Sequence, residues 1–173
     1  MRVWRIAATL ALATGTAAAV ADIEVTVHAV DAHGVGAGIG TVQIAETEHG
    51  LVFTPDLRGL SPGLHGFHVH QRPDCAPAEK DGEMTAAHAA GGHLDPEEAG
   101  RHAAPWGEGH AGDLPALHVD ADGRAHHPVH APRLELDDVR DRALMIHEGG
   151  DNYADKPEPL GGGGKRIACG VVH

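Results

Sequence analysis

Short runs of alternating apolar and polar residues, cut by Gly and Pro about every ten residues, restrict this chain more than any other feature. Ile23, Val25, Val27 and Ala29 share one parity, with Glu24, Thr26 and His28 on the other. That is the period-two signature of a half-buried strand. A Gly-rich turn is expected over Asp31–Gly36 and a second strand over Thr41–Glu46, ended by Glu48-His49-Gly50. Leu51, Phe53, Pro55 and Leu57 alternate again, Ser61-Pro62-Gly63 turns, and Leu64–His70 makes a further strand. Later strands are expected over Leu114–Asp120, Ala143–His147 and Ile167–Val172, with a hairpin signal at Asp122-Gly123 and a short helical turn within Leu134–Arg140. With no sustained helical periodicity, the fold class is all-β, a sandwich or barrel. No repeat or linker divides it. The Gly161–Gly164 run precedes Lys165-Arg166 rather than Lys-Ser or Lys-Thr, so it is not a phosphate-binding P-loop.

The N-terminus has a different character. Arg2 and Arg5 precede the apolar stretch Ile6–Val20, and Ala19-Val20-Ala21 is an A-x-A cleavage signal. Residues 1–21 are therefore expected to be a removed secretory leader, leaving 22–173 as one domain in the periplasm. The apolar part is shorter than a membrane span, so no membrane association is expected. In an exported chain the two cysteines, Cys75 and Cys169, most simply form one disulfide, with two free thiols as the alternative. The formal net charge is −12, and the leader carries two arginines and no acids. Nucleic acid binding needs clustered Lys and Arg, and no such cluster is present.

Histidine is abundant, with 16 in the chain, and its placement matters more than its number. His68 and His70 lie at i and i+2 on the expected strand, so both face one side, offset by about 7 Å. An exposed polar face is the plain alternative. His65, between Leu64 and Gly66, reads instead as a structural histidine held by backbone. The stretch Gly91–Pro115 is too broken by Gly and Pro for regular structure, yet holds His93, His102, His110 and Asp113. Three imidazoles and a carboxylate form an N3O set suited to tetrahedral Zn2+, unless this is merely a solvated His-rich loop. His126, His127 and His130 read as solvated surface histidines or weak metal scavengers.

Five segments resemble the copper,zinc superoxide dismutases in their bacterial exported form: GFHVH at 66–70, AGGHLDP at 90–96, GHAGDLPAL at 109–117, MIHEGGDNY at 145–153 and GGGGKRIACGVV at 161–172. They occur in that family's order, and the resemblance spans essentially the whole of 22–173. It implies an eight-stranded Greek-key β-barrel, immunoglobulin-like in its sandwich, with long metal-binding and electrostatic loops. It implies copper bound by His68, His70, His93 and His147, and zinc bound by His93, His102, His110 and Asp113. In it, His93 bridges the metals and supplies a proton, while Asp151 links a copper ligand to a zinc ligand. Cys75 and Cys169 match the family disulfide, and Arg166 matches the arginine beside the open copper position.

The implied activity is dismutation of superoxide to dioxygen and hydrogen peroxide by a monomer or homodimer. Copper cycles between oxidation states, and imidazole suits both metals. The competing reading is a metal-binding or delivery protein on the same barrel, which would be expected to lack a copper ligand, the bridge or the arginine. The substrate is an anion and the chain is acidic, so capture requires a local positive field, from Arg166 and the metals, with Lys165 or Lys80 as further candidates. His88, His118, His126, His127 and His130 fall outside the family's pattern, and competition for metal during loading is the one role they offer beside a solvated surface. Trp106 is expected to be merely exposed, with a contact surface for a second subunit as the alternative.

Overall fold

The structure is a computed structural model, and it describes residues 23–173. The expected leader and its cleavage point lie outside the described residues. Twelve strand segments are present: β1 (Ile23–Asp31), β2 (Gly34–Thr47), β3 (Gly50–Arg58), β4 (Gly63–His65), β5 (Phe67–His70), β6 (Ala78–Lys80), β7 (Glu83–Thr85), β8 (Leu117–Val119), β9 (Arg124–Ala125), β10 (Val129–Ala131), β11 (Arg142–His147) and β12 (Arg166–Val172). A single helical turn, α1 (Leu136–Val139), lies in the expected place and is stabilised by a capping box between Glu135 and Asp138.

The main sheet runs β10-β3-β2-β1-β12-β11-β5, all antiparallel, with β9 also on β3. Two continuous segments close it. Gly63–His70 lends β4 to β8 and β5 to β11, while Leu117–Ala125 lends β8 to β4 and β9 to β3. With each of those segments counted as one strand, this is the eight-stranded barrel with Greek-key order, since β3 lies beside β10 although six strands intervene in the chain.

Three expectations need correction. The second strand begins at Gly34 rather than Thr41, because residues 34–40 pair with β1 through backbone, with register shifts about His28. Their alternating glycines hide that strand from a hydropathy pattern. Leu64–His70 is not one strand but two, divided at Gly66 as the chain passes between partners. Asp122-Gly123 does form a turn, in which Gly123 N donates to Asp120 O (3.1 Å), but the flanking β8 and β9 ladder with β4 and β3.

The alternation of β1 is realised as buried Ile23, Val25 and Val27. They join Val42, Ile44, Leu51, Phe53, Leu57, Phe67 and Val69 in one core. Phe53 of β3 meets Phe67 of β5 edge-to-face at 5.8 Å, tying opposite walls of the barrel together. A smaller apolar cluster of Val30, Ala87, Ala90, Ala143 and Met145 surrounds the disulfide between Cys75 and Cys169, whose Cα atoms are 5.8 Å apart. The β6–β7 hairpin in this disulfide loop has too few apolar residues to announce itself in the sequence.

Candidate metal centre

One edge of β5 pairs with β11, and the other is where the irregular Gly91–Pro115 stretch attaches. Leu94 N donates to Val69 O (2.8 Å), Val69 N to Gly112 O (2.9 Å), Gln71 N to Gly92 O (3.1 Å) and Leu114 N to Phe67 O (3.3 Å). The loop is therefore fixed by strand-like bonds at both ends, without the side-chain alternation of a strand. Gly112 is required there, since a Cβ would lie 2.3 Å from Val69 O. Arg133 holds the outer part, donating to the carbonyls of Pro105 (2.8 Å), Gly109 (3.0 Å) and His110 (2.6 Å).

This stitching carries His93 and Asp113 to β5, where His70 and His68 face them respectively. His147 arrives from the end of β11, beside Arg166 of β12. His68, His70, His93, His102, His110, His147 and Asp113 are all buried. Among the described residues, two groups have donor atoms mutually within 4.8 Å: His68, His70, His93 and His147, and then His68, His93, His102 and Asp113.

Hydrogen bonds determine which nitrogens remain available. Asp151 accepts from His68 Nε2 through Oδ2 and from His102 Nε2 through Oδ1, both at 2.8 Å. His70 Nδ1 donates to Gly91 O (2.9 Å) and His147 Nδ1 to Gly164 O (3.2 Å). In consequence His68 Nδ1, His70 Nε2, His93 Nε2 and His147 Nε2 are buried without a partner, and His102 Nδ1 is buried with no aligned hydrogen bond although Asp113 Oδ1 stands 2.9 Å away. Among the described residues only one other buried side-chain nitrogen or oxygen, Arg142 Nε, is in that position. Leaving a buried polar atom unsatisfied costs about 1–3 kcal/mol. The four that converge, on His68, His70, His93 and His147, form a donor set that fits a cation.

The second donor set surrounds Asp113. Its Oδ1 lies 2.8 Å from His93 Nδ1, 2.9 Å from His102 Nδ1 and 3.3 Å from His110 Nδ1. Ligands of a tetrahedral ion bound at zinc distances stand about 3.3 Å from one another, close to this spacing. His68 has one nitrogen committed to Asp151, so it can serve only one ion; His110 completes the set around Asp113. His93 alone has one nitrogen turned to each group. Gly161, at φ 73°, sits where a Cβ would be 2.1 Å from Asp151 Oδ1, so glycine permits the carboxylate bridge.

Burial pushes the imidazoles of His70 and His147 well below the ordinary histidine range, helped by His93 and His68 respectively. Burial, with His68 beside it, lowers His93 to about 4. These rings are neutral at pH 7, the state that ligates. His102 goes the other way. Burial opposes its charge, but the carboxylates of Asp113 and Asp151 prevail and raise it to about 9. Against the effect of burial, hydrogen bonds led by that from His102 hold both Asp113 and Asp151 below the carboxylate range.

Arg166 is half-buried beside this centre and donates to Ala87 O and Gly91 O, both at 2.6 Å. Gly91 O also receives His70 Nδ1, so one carbonyl positions both side chains. His65 is structural as expected, bonding His147 O through Nδ1 (2.7 Å) and Ser61 O through Nε2 (2.8 Å). Two contributors are not evident in the sequence. Arg133 sits in an unremarkable connection, and Asp155 receives His102 N (2.9 Å) from a generally polar loop. Trp106 is exposed on the single chain.

Comparison with known proteins agrees with this geometry. Residues 39–172 match the family model described as copper/zinc superoxide dismutase (SODC). The chain is 55% identical to "Superoxide dismutase [Cu-Zn]" of Escherichia coli K12, covering 95% of this chain and 96% of that one. It is 58% identical to "Superoxide dismutase [Cu-Zn] 2" of Salmonella typhimurium LT2, over 95% of this chain and 94% of the relative. Among solved structures, the copper/zinc superoxide dismutase from Brucella abortus superposes with a TM-score of 0.85 at 52% identity, covering 87% of this chain and 98% of the other. A monomeric copper, zinc superoxide dismutase from Salmonella enterica gives 0.78 at 60% identity, with the same coverage. With its barrel, its paired donor sets and relatives matched along nearly their whole length, the chain belongs to the copper/zinc superoxide dismutase family.

Proposed function

We propose that this protein dismutates superoxide to dioxygen and hydrogen peroxide, holding copper with His68, His70, His93 and His147 and zinc with His93, His102, His110 and Asp113. The observation that carries the assignment is His93, whose Nδ1 faces Asp113 while its Nε2 stands bare among the other three imidazoles. When bound, copper supplies one-electron chemistry in both directions and zinc supplies a fixed divalent charge with no redox change.

The chain's residues supply the rest. Arg166, oriented by two carbonyls, offers a fixed cation to attract the superoxide anion and hold it at the mouth. His93 Nε2 is the atom that takes up a proton and passes it to the departing peroxide. Two superoxide anions and two protons thereby yield one dioxygen and one hydrogen peroxide. Asp151 keeps the His68 and His102 rings in the tautomer that turns Nδ1 inward. Burial of the imidazoles keeps bulk water from the donor set.

Residues 1–21 act as a leader removed after Ala21, delivering 22–173 to the periplasm as a single domain. The A-x-A sequence, the disulfide and the bacterial relatives support that reading. The donor sets are complete within one chain, so the enzyme functions as a monomer or as a homodimer with independent centres.

Substitution of His147 tests the assignment directly. In His147→Ala, dismutation is expected to vanish while zinc remains at one equivalent by elemental analysis. Full activity in the variant would remove His147 from the copper set.

A further inference from the structure

A ligating histidine ordinarily donates its second ring N–H to a carboxylate or carbonyl that fixes the ring. His68 and His102 use Asp151 in this way, His70 uses Gly91 O and His147 uses Gly164 O. His93 turns one nitrogen to each donor set. His110 is the exception. Its Nδ1 faces Asp113 Oδ1 (3.3 Å), and its Nε2 bonds no protein group among the described residues. Packing holds it less as well, since its side chain is 11% exposed while those of His93 and His102 are at most 1% exposed.

What is fixed at His110 is the backbone. His110 N donates to Arg101 O (3.1 Å), and His110 O accepts from Arg133 Nη2 (2.6 Å). The same guanidinium donates through Nη1 to Gly109 O (3.0 Å) and through Nε to Pro105 O (2.8 Å). A planar guanidinium presents its donors in a rigid fork, which suits several fixed acceptors at once. The loop is shaped to offer them: a Cβ on Gly109 would lie 2.6 Å from Ala103 N, so glycine lets the two sides of the loop close together. Arg133 itself springs from firm ground. Ala131 and Leu134 are buried on either side of it, and the capping box of Glu135 and Asp138 follows. A Cβ on Gly50 of β3 would lie 2.4 Å from Ala131 O, so the barrel wall packs directly against this connection.

We propose that Arg133 is a positioning residue of the zinc set, fixing His110 through its carbonyl where the other ligands are fixed through their rings. The proposal rests on the zinc set assigned above. None of the three carbonyls is a zinc donor, so the grip does not depend on the ion. His110 is held ready before zinc arrives, and the entropy of ordering the loop does not subtract from zinc affinity.

The mature chain, stripped of metal, is titrated with Zn2+ against a competing chelator, and amide hydrogen exchange is measured on the same stripped samples. Arg133→Ala is expected to weaken zinc binding about 10- to 100-fold, the cost typical of losing an outer partner of a ligating histidine. The amides of Ala103, His110 and Asp113, which bond within this loop, should exchange faster, while those of β1 and β2 keep wild-type protection. Arg133→Lys keeps the charge without the fork, so it should lose part of the affinity, and it serves if Arg133→Ala does not fold. Arg140→Ala removes an exposed arginine of the same connection, 3.8 Å from Asp137, and should bind zinc as the wild type does. Wild-type zinc affinity in both Arg133 variants, faster exchange spread equally over β1 and β2, or equal weakening in Arg140→Ala would each overturn the proposal. A wild-type chain that binds no zinc would overturn the zinc set itself, and the proposal with it.

Discussion

His102 lies between two carboxylates, with Asp113 Oδ1 at 2.9 Å from Nδ1 and Asp151 Oδ1 at 2.8 Å from Nε2. Without metal, the proton raised to about pH 9 on this ring is what reconciles the two buried negative charges. A folded-state pKa raised above the unfolded value stabilises the protein fully below the unfolded pKa, and the benefit is lost as pH rises through the folded one. The melting temperature of metal-free protein is therefore expected to fall between pH 7 and pH 10 as His102 loses its proton near 9. Zinc replaces that proton, so zinc-loaded protein should show no such decline. Equal slopes for the two forms would contradict the assignment of His102. At this scale much is legible in the sequence, because His68 and His70 share a face by strand geometry alone and His93, His102, His110 and Asp113 are close in the chain. Which nitrogen of each ring is available is not legible, because Asp151, Gly91 and Gly164 reach the rings from distant segments.

The loop from Gly91 to Pro115 borrows its order from β5, and the disulfide loop borrows its order from β12. Cys75 fixes that loop to Cys169, Arg72 Nε then reaches Ala89 O (2.6 Å), and the carbonyls of Ala87 and Gly91 are left to grip Arg166. Cross-linking residues 94 apart removes about 4–5 kcal/mol of unfolded-state entropy in the chain model, an upper figure. Reduction should lower the melting temperature and also slow superoxide capture, because Arg166 loses its support. An unshifted melting curve would show that the bond contributes nothing. Strands with clear alternation, such as β1 and β3, are legible in sequence. The early part of β2 and the closing pair β4–β8 are not. The first is held by backbone alone among alternating glycines, and the second follows from a change of partner at Gly66 that no local pattern encodes.

The whole molecule is acidic, at −12 for the full chain, yet its substrate is an anion. Screening confines distant charges to about 10 Å at 0.1 M salt, whereas Arg166 sits beside the centre itself. Arg166→Glu is expected to lower kcat/KM at low salt by tenfold or more, within the roughly 10- to 1000-fold span of electrostatic steering. It should also weaken or reverse the fall of rate with added salt, as followed by stopped-flow decay of superoxide. An unchanged rate at low ionic strength would refute steering by Arg166. The central claim is that two donor sets joined at His93 make a redox centre and not a metal store. Copper, zinc and superoxide consumption measured on one reconstituted sample test it most directly. One copper and one zinc per chain with rapid turnover are predicted; full occupancy of both sites without turnover would contradict the account and leave metal storage or delivery as the protein's role.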